Sequence, residues 1–191
     1  MPDKKGKLLI FSAPSGSGKT TIVKHLLQTI DNVTFSISAT SREKRMGETD
    51  GKDYFFITPE AFRDRISNNE FLEWEEVYSG SYYGTLKSEV DKLLNQGRNV
   101  IFDVDVLGGL NIKQQYGSQA LAVFVKVTSI EILYERLWKR STDTEENIQK
   151  RMAKAKYEME FVDKFDYVLI NDGLETAKKE ITEIVLNFIN K

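Results

Sequence analysis

Apolar residues along the chain fall in short, nearly continuous runs separated by longer amphipathic stretches. Four runs, at residues 7–13, 99–105, 120–127 and 166–171, are rich in Val, Ile, Leu and Phe, as in strands covered on both faces. An alternating run at 33–38 predicts a fifth strand. Helical patterns lie between and after them, at residues 19–30, 86–96, 106–115, 129–139, about 144–162 and 174–190. This alternation predicts an α/β fold, a central parallel sheet flanked by helices, with the site at the carboxyl ends of the strands.

The stretch from about residue 38 to residue 85 departs from this alternation. It contains glycine turn signals, short aromatic strands and one helix over 59–67 with Pro59 in its first turn. These features predict a small, mostly β subdomain inserted after the second core strand, with Trp74 packed inside it. An insertion of this size beside the main sheet is a natural place for a second substrate.

Composition narrows the classes of partner. The 191 residues are 40% hydrophobic and carry a formal net charge of −2, which argues against general adhesion to nucleic acid or anionic membranes. The absence of cysteine excludes disulfides and thiolate chemistry, and it fits a cytoplasmic location. The single histidine, His25, rules out a histidine-based metal site, and no apolar run approaches transmembrane length.

A glycine-rich segment joins the first strand to the first helix. It reads Ala13, Pro14, Ser15, Gly16, Ser17, Gly18, Lys19 and Thr20. This is the P-loop pattern, in which small residues turn successive N–H groups towards one anion at a helix N-terminus. Lys19 can then reach the β- and γ-phosphates, and the Thr20 hydroxyl can bind Mg²⁺. The alternative is an ordinary turn with incidental glycines, but the flanking strand and helix favour nucleoside triphosphate binding.

The inserted segment also holds a dense polar set. Its members are Ser38, Arg42, Arg45, Tyr54, Glu73, Tyr83 and Thr85. Because Arg42 and Arg45 are three positions apart, both guanidinium groups could face one phosphate. The residues between them are also charged, so a solvated surface loop is the alternative reading.

Two further groups carry candidate chemistry. Asp103 and Asp105 end an apolar strand, and two positions apart they are expected on the same strand face beside the P-loop, where Asp103 could hold Mg²⁺ through water. Arg140 and Arg151 flank a predicted helix start, as in a lid that closes over phosphates. The alternative for the two aspartates is a solvated strand end. The alternative for the two arginines is an ordinary position on a helix surface.

Taken in order, these segments resemble the guanylate kinase family over roughly residues 6–190. The most specific stretches are Ser36-Ile-Ser-Ala-Thr-Ser-Arg42, Gly47-Glu-Thr-Asp-Gly51-Lys-Asp-Tyr54, Glu70-Phe-Leu-Glu73-Trp74, Tyr82-Tyr83-Gly84-Thr85, Asp103-Val-Asp105 and residues 140–146. The resemblance implies a P-loop kinase fold with a core at 6–37, 86–138 and 164–191, a GMP-binding subdomain at about 38–85 and a helical lid at about 139–163. Mild departures include Ala13 for the first P-loop glycine and Lys44 where proline is usual between the arginines.

The resemblance also implies the activity and the role of each residue. It implies Mg²⁺-dependent transfer of the ATP γ-phosphoryl group to GMP, and to dGMP, in purine nucleotide metabolism. The implied catalytic residues are Lys19, Arg42, Arg140 and Arg151. The implied ATP site is residues 13–20 with Asn171, and the implied metal ligands are Thr20 and Asp103. The implied GMP site is Ser38, Arg42, Arg45, Tyr54, Glu73, Tyr83, Thr85, Asp103 and Asp105.

Two other functions remain open at this point. One is a non-catalytic, guanylate-kinase-like interaction domain, although the retained Lys19, Thr20 and Asp103 argue against it. The other is a P-loop kinase with another acceptor, such as AMP, UMP or a small metabolite, against which Glu73 and Ser38 argue. The sequence leaves the oligomeric state open, and it indicates ATP and GMP as partners.

Overall fold

The computed structural model describes residues 5–139 and 145–191. Its strands are β1 (Leu8–Ser12), β2 (Val33–Phe35), β3 (Ala39–Thr40), β4 (Phe55–Phe56), β5 (Phe71–Tyr78), β6 (Ser81–Leu86), β7 (Asn99–Asp103), β8 (Ala120–Lys126) and β9 (Tyr167–Ile170). Its α-helices are α1 (Lys19–Thr29), α2 (Pro59–Ser67), α3 (Lys87–Asn95), α4 (Val106–Tyr116), α5 (Ile130–Lys139), α6 (Glu145–Met159) and α7 (Leu174–Ile189). No helix in the described ranges is long and apolar enough to cross a membrane.

The main sheet has five parallel strands in the order β2-β7-β1-β8-β9. Its central strand, β1, is fully buried because helices cover both faces of the sheet. Leu9 and Phe11 pack with α1 and α7 on one face, whereas Leu8 and Ile10 pack with α3 and α4 on the other. The predicted central parallel sheet flanked by helices is therefore confirmed.

Helix α4 approaches β1 unusually closely. A Cβ atom on Gly109 would lie 2.6 Å from the Ser12 hydroxyl oxygen, so only glycine allows this distance. The Ser12 hydroxyl donates to the Asp105 carbonyl at 2.9 Å, which ties the start of α4 to the end of β1. The two contacts bring Asp105 to the edge of the sheet where β1 ends.

A second sheet has four strands in the order β4-β3-β6-β5. Helix α2 begins with Pro59 after a Thr58 cap, and its Phe62 stacks on Phe71 with 4.3 Å between ring centroids. Trp74 is 48% exposed, so the expectation that it packs inside this part of the chain is wrong. Its ring makes only an edge contact with Tyr82, at 6.3 Å between ring centroids, and residues 75–77 that follow it on β5 are exposed as well.

Candidate active site

The glycine-rich loop runs from the end of β1 to the start of α1. Gly16 and Gly18 have φ angles of 94° and 88°, in the left-handed region that glycine adopts readily. Ser17 N donates to Pro14 O at 3.1 Å, which closes the turn within the loop. The loop therefore ends at a helix N-terminus, where backbone N–H groups and the helix dipole favour an anion.

Asn171 supports this loop from behind. Its side-chain Nδ2 donates to Ser17 O at 2.7 Å, and the residue is only 3% exposed. A cavity of about 340 Å³ opens nearby, lined by Gly16, Gly18 and Thr21 together with Arg136, Lys139 and Asn171. Asn171 thus lies at this cavity, but its side chain contacts the loop and lies buried beneath it.

The two reactive side chains of the loop converge on Asp103 at the end of β7. Lys19 Nζ lies 2.7 Å from Asp103 Oδ1 and 2.8 Å from Val104 O. The Thr20 hydroxyl donates to Asp103 Oδ2 at 3.3 Å. A hydroxyl and a carboxylate are hard oxygen donors of the kind that Mg²⁺ prefers. Among the described residues, no cluster of three or more His, Cys, Asp or Glu forms a metal site from protein ligands alone.

Asp105 does not share a strand face with Asp103, contrary to expectation. Strand β7 ends at Asp103, and Asp105 caps α4 by accepting a hydrogen bond from Gly108 N at 2.7 Å. Aspartate is a favoured N-cap because its carboxylate satisfies a free N–H group of the first turn. The Glu73 side chain approaches Gly108 on the same side as Asp105 Oδ1, so the two carboxyl groups lie near one another.

A second cavity of about 340 Å³ lies over the loop and is closed on one side by α6. Asp103 and Asp105 line it together with Lys154 and Glu158. Glu158 is 6% exposed, and burial raises the pKa of its carboxyl group. Sequence reasoning missed Glu158, since nothing in its local pattern distinguishes it from the surface glutamates of the same helix.

The two predicted lid arginines have different outcomes. Arg151 Nη1 lies 3.4 Å from the Ser15 hydroxyl, so α6 contacts the glycine-rich loop. Arg140 lies outside the described residues.

Three of the four predicted phosphate ligands, Arg42, Tyr54 and Tyr83, contact one another beside the second sheet. Arg42 Nε donates to the Tyr83 hydroxyl at 3.1 Å, and its guanidinium carbon lies 5.0 Å from the centroid of the Tyr54 ring. Arg45 is exposed. Both nitrogens of the Arg42 fork donate to Glu48, at 2.7 and 2.5 Å. These hydrogen bonds lower the pKa of Glu48 to about 2 and raise the pKa of Arg42, and sequence reasoning missed the pair.

The predicted base-reading residues are also brought together. The Thr85 hydroxyl donates to Glu73 Oε1 at 2.7 Å, across paired positions of β5 and β6. Burial raises the pKa of Glu73, and the Thr85 hydrogen bond acts in the opposite direction. Because Ala39 pairs with Gly84 in an antiparallel register, Ser38 lies opposite Thr85. The arrangement offers a carboxylate and two hydroxyls to a polar heterocycle, next to cationic and phenolic donors for an anion.

Comparisons with known proteins agree with this geometry. The family model described as guanylate kinase matches residues 5–187. The chain is 59% identical to a guanylate kinase of Bacteroides thetaiotaomicron over 97% of this chain and 91% of that protein. It is 46% identical to a guanylate kinase of Thermotoga maritima, covering 95% of this chain and 86% of that protein. The crystal structure of guanylate kinase from Anaplasma phagocytophilum superposes with a TM-score of 0.73 at 26% identity, covering 98% of this chain and 88% of that one.

Proposed function

This chain belongs to the guanylate kinase family, and we infer that it transfers the γ-phosphoryl group of ATP to GMP, giving ADP and GDP. The observation that carries this inference is the pairing of two sites. A glycine-rich loop with Lys19 lies at the end of β1, and the half-buried Glu73, paired with Thr85, lies beside Gly108 and Asp105 at the start of α4. Such a pair of sites suits one triphosphate donor and one purine acceptor.

Guanine is the base that Glu73 can read. An ionised carboxylate only accepts hydrogen bonds, and guanine offers both N1–H and an exocyclic amine on one edge. Adenine offers no such pair there, so Glu73 would keep its hydrogen bond from Thr85 and gain none from the base. A site built to hydrogen-bond one substrate can discriminate against an analogue without the matching donors by a factor of about 10⁴ in kcat/KM. Ser38 and Thr85 would complete the base site with hydroxyls.

The acceptor phosphate would bind to the cluster on the second sheet. Arg42, Arg45, Tyr54 and Tyr83 supply two guanidinium groups and two phenols for it, and Asp103 and Asp105 line the side nearest the donor. Charge-assisted bonds from arginine to phosphate are among the strongest hydrogen bonds in proteins. The dGMP acceptor shares the same base and phosphate, so we propose it as a second substrate.

The donor would bind along residues 13–20, with its base at the cavity beside Asn171. Thr20 and Asp103 would hold Mg²⁺, Asp103 through water, and their oxygen donors 3.3 Å apart fit that role. When bound, Mg²⁺ supplies positive charge to the donor phosphates. Lys19 is held by Asp103 and Val104 O, and it supplies a further cation at the same place.

The chemistry needs no strong base. An oxygen of the GMP phosphate is already anionic near neutral pH; it bonds to the γ-phosphorus while the bond from that phosphorus to the β–γ bridging oxygen breaks, and ADP leaves. Alignment of the two phosphates and neutralisation of charge by Lys19, Arg42, Arg140 and Arg151 would lower the barrier.

We propose that the chain divides into three parts that move relative to one another. They are a core (6–37, 86–138 and 164–191), a GMP-binding subdomain (about 38–85) and a lid (about 139–163). Their closure would exclude water from the phosphates. The cysteine-free composition supports a cytoplasmic location.

The test is a coupled assay of ADP release with Mg-ATP and, separately, GMP, AMP, UMP and CMP. Strong stimulation by GMP alone is the expected result. Stimulation by another monophosphate would overturn the guanine assignment and retain the kinase activity. Binding of nucleotide without any stimulated turnover would instead favour a non-catalytic binding domain.

A further inference from the structure

Glu48 lies between the two arginines assigned to the acceptor phosphate, although the proposed reaction gives it no role. Its Oε1 accepts from Arg42 Nη2 at 2.5 Å, and its Oε2 accepts from Arg42 Nη1 at 2.7 Å. The same Oε2 accepts from the backbone N of Arg45 at 2.8 Å. One carboxylate thus joins the side chain of one arginine to the main chain of the other.

The hydrogen-bond inventory of Arg42 shows what this contact leaves available. A guanidinium group has five N–H donors. Nε donates to Tyr83, Nη1 donates to Glu48 and to Glu43 O at 2.9 Å, and Nη2 donates once to Glu48. Within the described part of the chain, one Nη2 hydrogen is left for a ligand. The Tyr83 hydroxyl accepts from Arg42, so its own hydrogen is available as well.

We propose that Glu48 is a positioning residue for the acceptor phosphate: it fixes the fork of Arg42, and through it the Tyr83 hydroxyl, so that one N–H and one O–H remain ready for the phosphate. This proposal rests on the proposed function. Glu48 itself touches neither substrate, and it acts through Arg42, Tyr83 and the main chain at Arg45.

If charge repulsion were its only effect, Glu48 would weaken the binding of the GMP phosphate. Hydrogen bonds from Arg42 lower its pKa to about 2, so it is ionised at neutral pH in a site that receives an anion. If Glu48 only occupied the fork until GMP displaced it, removing its charge would strengthen GMP binding. The hydrogen bond from Arg45 N favours the positioning role. If GMP displaced the Glu48 carboxylate, a main-chain N–H as well as the guanidinium of Arg42 would lose its acceptor.

The two roles are separated by Glu48→Gln, which keeps the size of the side chain but turns an N–H donor towards the donors of Arg42. The matched control is Glu43→Gln, which makes the same charge change at an exposed position of the same loop. We expect Glu48→Gln to raise the KM for GMP about tenfold or more, from the loss of a charged hydrogen-bond pair. We expect the KM for ATP to stay within about twofold, and Glu43→Gln to leave both constants within the same limit.

Calorimetric titration with GMP alone supplies a readout that does not depend on turnover. The dissociation constant of GMP should rise in Glu48→Gln by the same factor as the KM, with the melting temperature recorded for each variant. If Glu48→Gln does not fold, Glu48→Asp serves in its place, because it keeps the charge but is too short to span both contacts. It should weaken GMP binding in the same direction.

Tighter GMP binding in Glu48→Gln, or an effect equal to that of Glu43→Gln, would overturn the positioning role. An equal rise in the KM for ATP would also overturn it, since it would indicate a general distortion of the fold. If the wild-type protein neither binds GMP nor responds to it, the proposed function fails instead, and the two failures are therefore distinguishable.

Discussion

At the scale of single residues, the proposed specificity for guanine rests on one half-buried carboxylate, that of Glu73. Glu73→Gln replaces an acceptor-only group with one that presents an N–H donor to the donors of guanine. We expect kcat/KM for GMP to fall by a factor on the order of 10² to 10⁴. Steady-state rates with GMP and AMP measure this loss and the change in preference.

Glu75→Gln is the matched control, since Glu75 is exposed two positions along the same strand. It should leave the preference for GMP unchanged. A Glu73→Gln variant that kept the full preference would show that another group reads the base.

Lys19 carries the second prediction at this scale. Its amine is held by Asp103 and Val104 O, so removing it takes a cation from the proposed phosphate site without opening the core. We expect Lys19→Ala to lower kcat by a factor on the order of 10² or more. Lys24→Ala, an exposed lysine of the same helix, should not change kcat. Near-normal turnover of a folded Lys19→Ala protein would refute the role.

The sequence was enough to predict candidate binding residues where the prediction depends only on the type of side chain. The fork of Arg42 near Tyr83 and the carboxylate of Glu73 are examples. The partner of Arg42 was not, because several acidic residues lie nearby in the sequence and only the turn of the chain brings Glu48 to it. The exposure of Trp74 was also missed, since it depends on which part of the sheet face other elements cover.

At the scale of elements, helix α6 buries a carboxyl group beside the cavity over the glycine-rich loop. Glu158 faces Lys154 on its own helix, Lys19 on α1 and Asp105 at the start of α4. Burial, helped by Asp105, outweighs the two lysines and raises the pKa of Glu158. A carboxyl group with a raised pKa in the folded chain stabilises the fold fully below the ordinary value of 4.5. That contribution is lost as the pH rises through the raised value.

Glu158→Gln should therefore melt higher than the wild-type protein at pH 8, by a few degrees or roughly 2–4 °C. The difference should shrink as the pH falls from the raised pKa towards 4.5. Thermal melts over this pH range measure it, and Glu160→Gln, just beyond the same helix, is the exposed control. A wild-type protein as stable as the variant at pH 8 would contradict the prediction.

Element positions were predictable where apolar runs and caps coincide. The helix over 59–67 is confirmed, because Thr58 and Pro59 mark its start. The strand at 99–105 was predicted two residues too long, because an Asp-Val-Asp end reads like a continued strand. The capping role of Asp105 stops it at Asp103.

At the scale of the whole molecule, the proposed site is divided between two sheets. Donor groups lie at the end of the five-stranded sheet, and acceptor groups lie on the four-stranded one. If closure around both substrates excludes water, ATP hydrolysis without GMP should run at less than about a hundredth of the GMP-stimulated rate. ADP release with and without GMP measures the ratio, and substantial hydrolysis without GMP would count against closure.

Contacts between distant parts of the chain were the least predictable. Asn171 donates to Ser17, and Arg151 contacts Ser15, across more than a hundred residues in each case. Local pattern predicts a helix or a loop, but it does not predict which helix covers that loop. The resemblance to a known family supplied that information for Arg151, and nothing supplied it for Glu158.

The close approach of α4 to β1 has a consequence for how this sequence can evolve. Any side chain at Gly109 would collide with Ser12, and a smaller residue at position 12 would release the carbonyl of Asp105. A substitution at either position alone is therefore expected to disturb the contact between the end of β1 and the start of α4. In related sequences, we expect substitutions at positions 12 and 109 to occur together.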